Sequence, residues 1–446
     1  MPQPGAPRHA ISRRRLIALT GAAAALAVTG SPRRAAAADT VQEVLDNGLT
    51  VIVQERPSAD TVALQHTALA GVRDDGDQQG VTVLTSRMLL SGTPRRPSDI
   101  DMRAAATLAG GTLSRGTTSE VSSIACVVPG SSAELAFDLV SDALVHPTFT
   151  PLAFLTQQQL ALQNLSQRRT DPGMLIDDLF QQSLFAGQPL GLPPLGTPAT
   201  VAATKLDDIH ATRKRLWGGA NAVVTVVGRI RVDDALSLAG QYFGPLFAGP
   251  ANVRPPSPPQ PPSAPETVTG VAGQQQLFRV GFLAPSLSDS DRYPMAVLTG
   301  MMSGFSGRLL RELRTQRGIS YTPSAGYVSY SDAGLWYAAA GVDPDKLDEA
   351  LAVTQTEIRR ISDERASDAE VSDTVDASAG QQILATQSNA EVAARLASQQ
   401  IFGDVSTDEY VRRIQTVTAN DVQRVARTYL DLDHSLTILV GPAGAQ

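Results

Sequence analysis

A chain of 446 residues exceeds what one hydrophobic core organises, so two or more domains are expected. With 42% hydrophobic and 18% charged residues the composition is that of an ordinary soluble globular protein. The formal net charge of -7 becomes about -13 (31 basic against 44 acidic residues) once an amino-terminal leader with six arginines and no acids is set aside, which argues against nucleic acid and anionic membranes as partners.

Residues 1–38 read as that leader. Ser12-Arg13-Arg14-Arg15-Leu16-Ile17 matches a twin-arginine signal, and the run LIALTGAAAALAV leads to an alanine-rich cleavage region ending near Ala38. The run is too short to cross a bilayer as a helix. The expectation is export to the periplasm or beyond, with no integral membrane segment once the signal is removed. Cys126, the single cysteine, excludes an intrachain disulfide and, within VSSIACVVP, reads as a small buried hydrophobe.

The first half, 40–249, opens with LDNGLTVIVQ, in which an Asn-Gly turn between apolar runs signals a hairpin. The stretch GVTVLTSRMLLSGT, Gly80 to Thr93, follows as a helix. Val83 and Arg87 are spaced i, i+4 and share a face, the geometry a two-ligand metal site needs. Neither side chain has an electron pair to give a metal, and Ser86 between them is no general base near neutral pH. GGTLSRGTTSEVSSIACVVP reads as polar and β-branched residues before an apolar strand, and QQQLALQNLSQRR places Gln157, Gln163 and Asn164 on a later helix. The half closes with LDDIHATRKRLWGGANAVVTVVG, an amphipathic helix and a strand ending at Gly228.

Residues 250–266 include PANVRPPSPPQPPSAP, whose eight prolines in sixteen residues suit an extended linker. The second half, 267–446, repeats the order of the first. QQLFRVGFLAPSLSDSDRYPMAVLTGMMSG gives a strand, a loop and a helix, and VTANDVQRVARTYLDLDHSLTILVGP gives a helix, capped by Thr418 or Asn420, and a strand ending at Gly441. Strands and long helices mix without strict βαβ alternation, so the fold class is α+β: two similar domains, each a mixed sheet packed with helices. In MMSGFSGRLL, Gly304 and Gly307 suit close approach of a peptide backbone or an ordinary helix-entry turn. In RLLRELRTQRGISY, Arg308 to Gln316 is helical, Gly318 is a stop, and Ile319 to Tyr321 begins an extended run. The histidines His66, His146, His210 and His434 are dispersed and form no local ligand pair.

These features resemble the pitrilysin/insulinase family of inverzincin peptidases, whose first helix carries H-x-x-E-H, a hydrophobic pair and Gly-Thr. Met88, Leu89, Gly92 and Thr93 fit that frame, which puts Val83 and Arg87 at the histidine positions and Ser86 at the general-base glutamate. Asn164, 77 residues after Arg87, falls where the family has its third ligand, a glutamate, and Gln157 and Gln163 also replace family carboxylates. A carboxylate cluster without its metal carries buried like charge, so changing carboxylates to amides removes a cost. Arg87 is expected to donate to Asn164 or a neighbouring amide. Arg115 and Gly116 stand where the family's peptide-binding edge strand has an asparagine and an aromatic residue.

The resemblance also implies a role for Arg317 and Tyr321. They match an arginine and tyrosine that, in two-chain members, come from the zinc-free subunit and contact substrate, while Gly304 and Gly307 match a glycine-rich segment near it. Without the resemblance, Arg317 reads as a cation complementing a helix C-terminus and Tyr321 as a residue of a half-buried strand. The resemblance implies a chain with no metal of its own and no catalytic residue at its own zinc position. It implies pairing with an H-x-x-E-H-bearing homologous subunit, which supplies zinc, to hydrolyse peptides. A stand-alone peptide-binding or scaffolding protein, or a peptidase of another mechanism, are the alternatives.

Overall fold

Local signals place most elements. The computed structural model describes residues 40–254, 259, 266–271, 273–304 and 307–442; the leader and most of the proline-rich stretch lie outside them. The first half builds β1 (Thr40–Val44), β2 (Thr50–Glu55), β3 (Thr61–Ala68), β4 (Thr112–Thr117), β5 (Ser122–Pro129) and β6 (Ala222–Gly228). The second builds β7 (Glu266–Val271), β8 (Gln276–Ala284), β9 (Ser324–Ser329), β10 (Gly334–Val342) and β11 (Leu436–Gly441). Asn47 and Gly48 turn β1 into β2, with Gly48 at φ 81° and the Asn47 side chain donating to the Phe243 carbonyl at 2.8 Å.

The two sheets repeat one topology. The first runs β1-β2-β6-β3-β5-β4 and the second β7-β11-β8-β10-β9. In each, a parallel pair (β2 with β6, β7 with β11) is followed by antiparallel neighbours in the same order, and β1 is an extra edge strand. The result is a mixed α+β architecture with two helix-packed sheets, as the sequence pattern requires.

Helices α1 (Val81–Leu89) and α2 (Asp99–Leu108) lie between β3 and β4. Between β5 and β6 come α3 (Ala133–Val145), α4 (Pro151–Thr170), α5 (Pro172–Leu184), α6 (Pro198–Ala203) and α7 (Leu206–Leu216); α8 (Val232–Phe243) follows β6. The second half has α9 (Arg292–Met302) after β8, then α10 (Leu347–Asp363), α11 (Asp368–Leu384), α12 (Asn389–Phe402), α13 (Thr407–Gln415) and α14 (Ala419–Tyr429) between β10 and β11. Thr418 caps α14, its hydroxyl accepting from Asp421 N at 3.3 Å. Asp171 closes α4 and caps α5, accepting from Met174 N at 2.8 Å, and Pro172 starts the new helix. None of the helices in the described residues is long and apolar enough to cross a membrane.

Amphipathic patterning does not reveal which sheet each helix covers. On one face of the first sheet Val62, Leu64 and Ala68 join the main core with α1 and α3. Its opposite face is closed by a helix of the other half: α12 packs on β6 and β3, with Ala393 and Ala397 against Ala63, Val227, Ile52 and Val223. Reciprocally, α5 from the first half packs on β11 and β8, placing Ile176 and Phe180 against Leu436, Ile438 and Val440. Gly281 makes room for this ring, since a Cβ there would lie 2.1 Å from Phe180 Cε2.

Loops reinforce the exchange. Arg73, its side chain 3% exposed, bonds Glu120 at 2.7 Å and, from the other half, Asp332 at 2.8 Å. Ser331 donates its amide and hydroxyl to Glu120 at 3.1 and 2.6 Å, so the β4–β5 and β9–β10 turns meet. One compact unit therefore contains both sheets. The start of the proline-rich stretch is itself anchored: Asn252 donates to the Leu69 carbonyl at 2.9 Å and Arg254 to Asp74 at 2.9 Å.

Phe180→Ala should cost about 3–5 kcal/mol of stability, measured by denaturant unfolding, and the parent should unfold in a single transition. Two resolved transitions, with only one moved by the substitution, would show that the halves are independent.

Candidate functional site

Helix α1 is set by its entry turn. Gly80 adopts φ 92° where a Cβ would lie 2.6 Å from the Leu195 carbonyl oxygen. Asp75 caps the helix from outside, its carboxylate accepting from Gly80 N at 2.6 Å and Thr82 N at 2.9 Å. Burial pushes the Asp75 carboxyl up to about 6, against the lowering effect of those hydrogen bonds. Every residue of α1 except Arg87 is buried. Val83 is 8% and Ser86 1% exposed, and Leu84, Met88 and Leu89 belong to the main core.

Across from it lies α4, which presents Phe154, Gln158, Ala161 and Leu165 as its buried residues. Gln158 is spent on the Val201 and Thr204 carbonyls at 2.8 and 3.1 Å. Asn164 and Gln157 are half-buried and Gln163 is exposed. The facing helices thus bring Val83, Ser86, Arg87 and Asn164 to neighbouring elements, but not into one hydrogen-bonded cluster. The expected bond from Arg87 to Asn164 is not formed: among the described residues Arg87 has no hydrogen-bond or ion-pair partner, and its buried Nε is unsatisfied, as is Ser86 Oγ. Helix α1 also packs on β4, and the Arg87 charge is felt there by Arg115.

Burial lowers the Arg87 guanidinium from its ordinary value. Arg115 is pushed down to about 10, by burial first and then by the charges of Arg87 and Arg103, with Asp99 opposing. Arg103 is already committed, bonding Asp99 and the Leu113 carbonyl at 2.9 and 3.0 Å. This donor set does not fit zinc. An apolar side chain, a hydroxyl, an amide and a guanidinium offer no anionic or strongly basic ligand, and no group of three or more His, Cys, Asp or Glu residues among the described residues could hold a metal ion.

The second-half residues fall into two places. Gly304, at φ 87°, and Gly307 line a cleft of about 940 Å³ between α9, α11 and β9, together with Arg311 and Tyr410. Neither Arg317 nor Tyr321 lines it. Residues Leu310–Gln316 form a π-helical turn, and Gly318 ends it at φ 65°. Arg317 donates to the Glu312 carboxylate at 2.6 Å and carbonyl at 3.2 Å. Although burial works against it, Glu312 is held below the ordinary carboxylate range by Arg317 and Arg311.

Tyr321 departs from the expected half-buried strand. Ile319 N and Ser320 N both donate to the Leu313 carbonyl, at 2.8 and 3.2 Å, folding this segment back on the helical turn, and the strand starts only at Ser324. Tyr321 is consequently 75% exposed, with Arg314 4.3 Å from its ring centroid.

One buried polar residue carried no local signal beyond its place in an alternating strand. His66 sits on β3 opposite Ile124 and Val224, fully buried, with neither ring nitrogen bonded. Burial pushes it down to about 4, so it is neutral at pH 7. Cys126 on β5 is also fully buried, and burial pushes its thiol up to about 12.

Two helix-packed sheets of one topology, with a core helix facing a later helix across positions lacking metal donors, define a peptidase-like frame. Comparison with known proteins agrees. Residues 50–198 match the family model described as insulinase (peptidase family M16), and residues 204–378 match the one described as peptidase M16 inactive domain. The chain belongs to the M16 (insulinase) peptidase family. It is 26% identical over 409 residues to an uncharacterized zinc protease of Streptomyces coelicolor, covering 89% of this chain and 88% of that one. An uncharacterized zinc protease of Mycobacterium tuberculosis is 25% identical over 427 residues, covering 93% and 97%. Among solved structures, a peptidase M16 inactive domain from Pseudomonas fluorescens superposes with TM-score 0.84 at 20% identity, covering 92% of this chain and 99% of that one. A protease from Helicobacter pylori gives 0.83 at 16%, covering 91% and 99%. At these identities the solved structures speak to the fold.

The His66 environment has a pH consequence. Its folded pKa lies below the ordinary 6.5, so the stability its neutral form permits is complete above about pH 6.5 and is lost as pH falls through about 4, by roughly 3 kcal/mol in all. Asp75, raised to about 6, acts in the opposite direction: its favourable contribution is whole below about 4 and lost as pH rises through 6. His66→Leu should therefore flatten the acid-side fall of the melting temperature relative to the parent; an identical slope would mean that His66 does not carry it.

Proposed function

We propose that the protein is an exported, zinc-free member of the M16 family that pairs with a homologous H-x-x-E-H-bearing chain to enclose a peptide chamber. The observation that supports this most is the condition of α1. Its buried frame is intact, with Leu84, Met88 and Leu89 in the core, while the positions that would coordinate metal hold Val83, Arg87 and Asn164. A helix kept in the core but stripped of donors serves as wall. The partner subunit would bring zinc, its two histidines and the general base. This chain would contribute half the enclosure and bind the peptide being cut.

In this reading Arg317 and Tyr321 are substrate-binding groups. A guanidinium and a phenol donate hydrogen bonds to a peptide carbonyl, and donors aimed at a developing oxyanion favour its transition state. The Tyr321 side chain is exposed enough to do so, whereas Arg317 must exchange Glu312 for substrate. Gly304 and Gly307 line a cleft of their own, where a peptide backbone can come close to the chain. The pairing of Arg317 with Glu312 favours a second reading, a stand-alone peptide-binding protein in which this arginine is structural.

Mixing the mature protein with an intact homologue from the same host should generate peptidase activity that neither chain has alone. Arg317→Ala should then lower kcat/KM roughly 10- to 100-fold. Activity unaffected by the substitution assigns Arg317 to its Glu312 pair. No activity with any such homologue favours the stand-alone binder.

A further inference from the structure

Helix α1 packs against β4, and the charge of Arg87 on the one acts on Arg115 of the other. Arg87 is the one residue of α1 that escapes full burial, and Arg115 is on β4, the outermost strand of its sheet. Each keeps a buried Nε with no acceptor among the described residues. The nearby carboxylate of Asp99 is already bonded to Arg103 at 2.9 Å, and Arg103 spends a further donor on the Leu113 carbonyl. Two half-buried guanidiniums on elements packed against each other therefore keep unsatisfied donors, in a chain whose formal charge without the leader is about -13 (31 basic against 44 acidic residues).

Guanidinium forks match the two oxygens of a carboxylate, and such charge-assisted pairs are the strong hydrogen bonds of protein interiors. A like-charged pair left empty is costly; an anion seated between its members satisfies the donors and removes the repulsion. We propose that Arg87 and Arg115 form a carboxylate-binding site between α1 and the edge strand β4, which takes an anionic group of a peptide: its C-terminal carboxylate or an acidic side chain. It rests on the reading that this chain binds peptide, and gives that peptide a chemical class. The site holds and orients; it has no group to activate water.

The test is titration of the mature chain at fixed low ionic strength with three probes: acetyl-pentaalanine as the free acid, the same peptide as its C-terminal amide, and an acetylated, amidated alanine peptide with one central glutamate. Binding of the acid at least about tenfold tighter than the amide assigns a C-terminal carboxylate; the same margin for the glutamate peptide over the amide assigns an acidic side chain. Arg87→Gln and Arg115→Gln should each erase that margin while leaving the amide's affinity unchanged. Equal affinity for all three probes, no binding of any, or a margin that survives both substitutions overturns the site. If a variant fails to fold, the comparison among probes on the parent decides alone. A positive titration with no activity on mixing keeps the carboxylate site and removes the two-chain chamber; the reverse result keeps the chamber and removes the site.

Discussion

The reciprocal docking of α5 on the second sheet and α12 on the first is the constraint on which the rest of the structure depends. A mixed sheet has two faces, and each half covers only one of its own with its own helices. The remaining face of each is apolar, with Ile52, Val223 and Val227 on one and Leu436, Ile438 and Val440 on the other. Exchanging one helix closes both. Close approach is built into the sequence as Ala393, Ala397 and Gly281, small residues where the visiting helix or its Phe180 ring must fit. The relation of the halves is set by this packing and by the buried Arg73, Glu120 and Asp332 contacts.

That rigidity frames the altered first helix. The Asp75 cap and core side chains fix α1 through the chain's own contacts. A zinc site balances a cation against anionic or strongly basic ligands, and removing the cation alone would leave those ligands repelling one another. On the proposed reading, Ser86, Gln157, Gln163 and Asn164 stand at positions the resemblance assigns to carboxylates, and the local cations are guanidiniums. Among the described residues, the buried Nε groups of Arg87 and Arg115 have no acceptor.

Much of the fold was legible because its signals are local. The Asn47-Gly48 turn, the cap at Thr418, and the strands ending at Gly228 and Gly441 each follow from a few neighbouring residues. The repeated order of elements also anticipated two sheets of matching topology. The helix exchange was not legible, because periodicity shows that α5 and α12 each have an apolar face but not which sheet it meets. At the site, i, i+4 spacing placed Val83 and Arg87 correctly on one helix, yet Arg87 makes no bond to the Asn164 amide, and its charge helps to lower Arg115. The Arg317 pair with Glu312 and the exposure of Tyr321 depend on the backbone folding back to the Leu313 carbonyl, which a run reading as extended does not disclose.

The central claim is that α1 retains a peptidase frame without a metal centre, and the zinc content of the purified mature chain tests it most directly. Elemental analysis after exposure to excess zinc and desalting should find no stoichiometric metal, and the chain alone should cleave no peptide. Zinc at about one per chain, with peptide cleavage abolished by a chelator, would contradict the account.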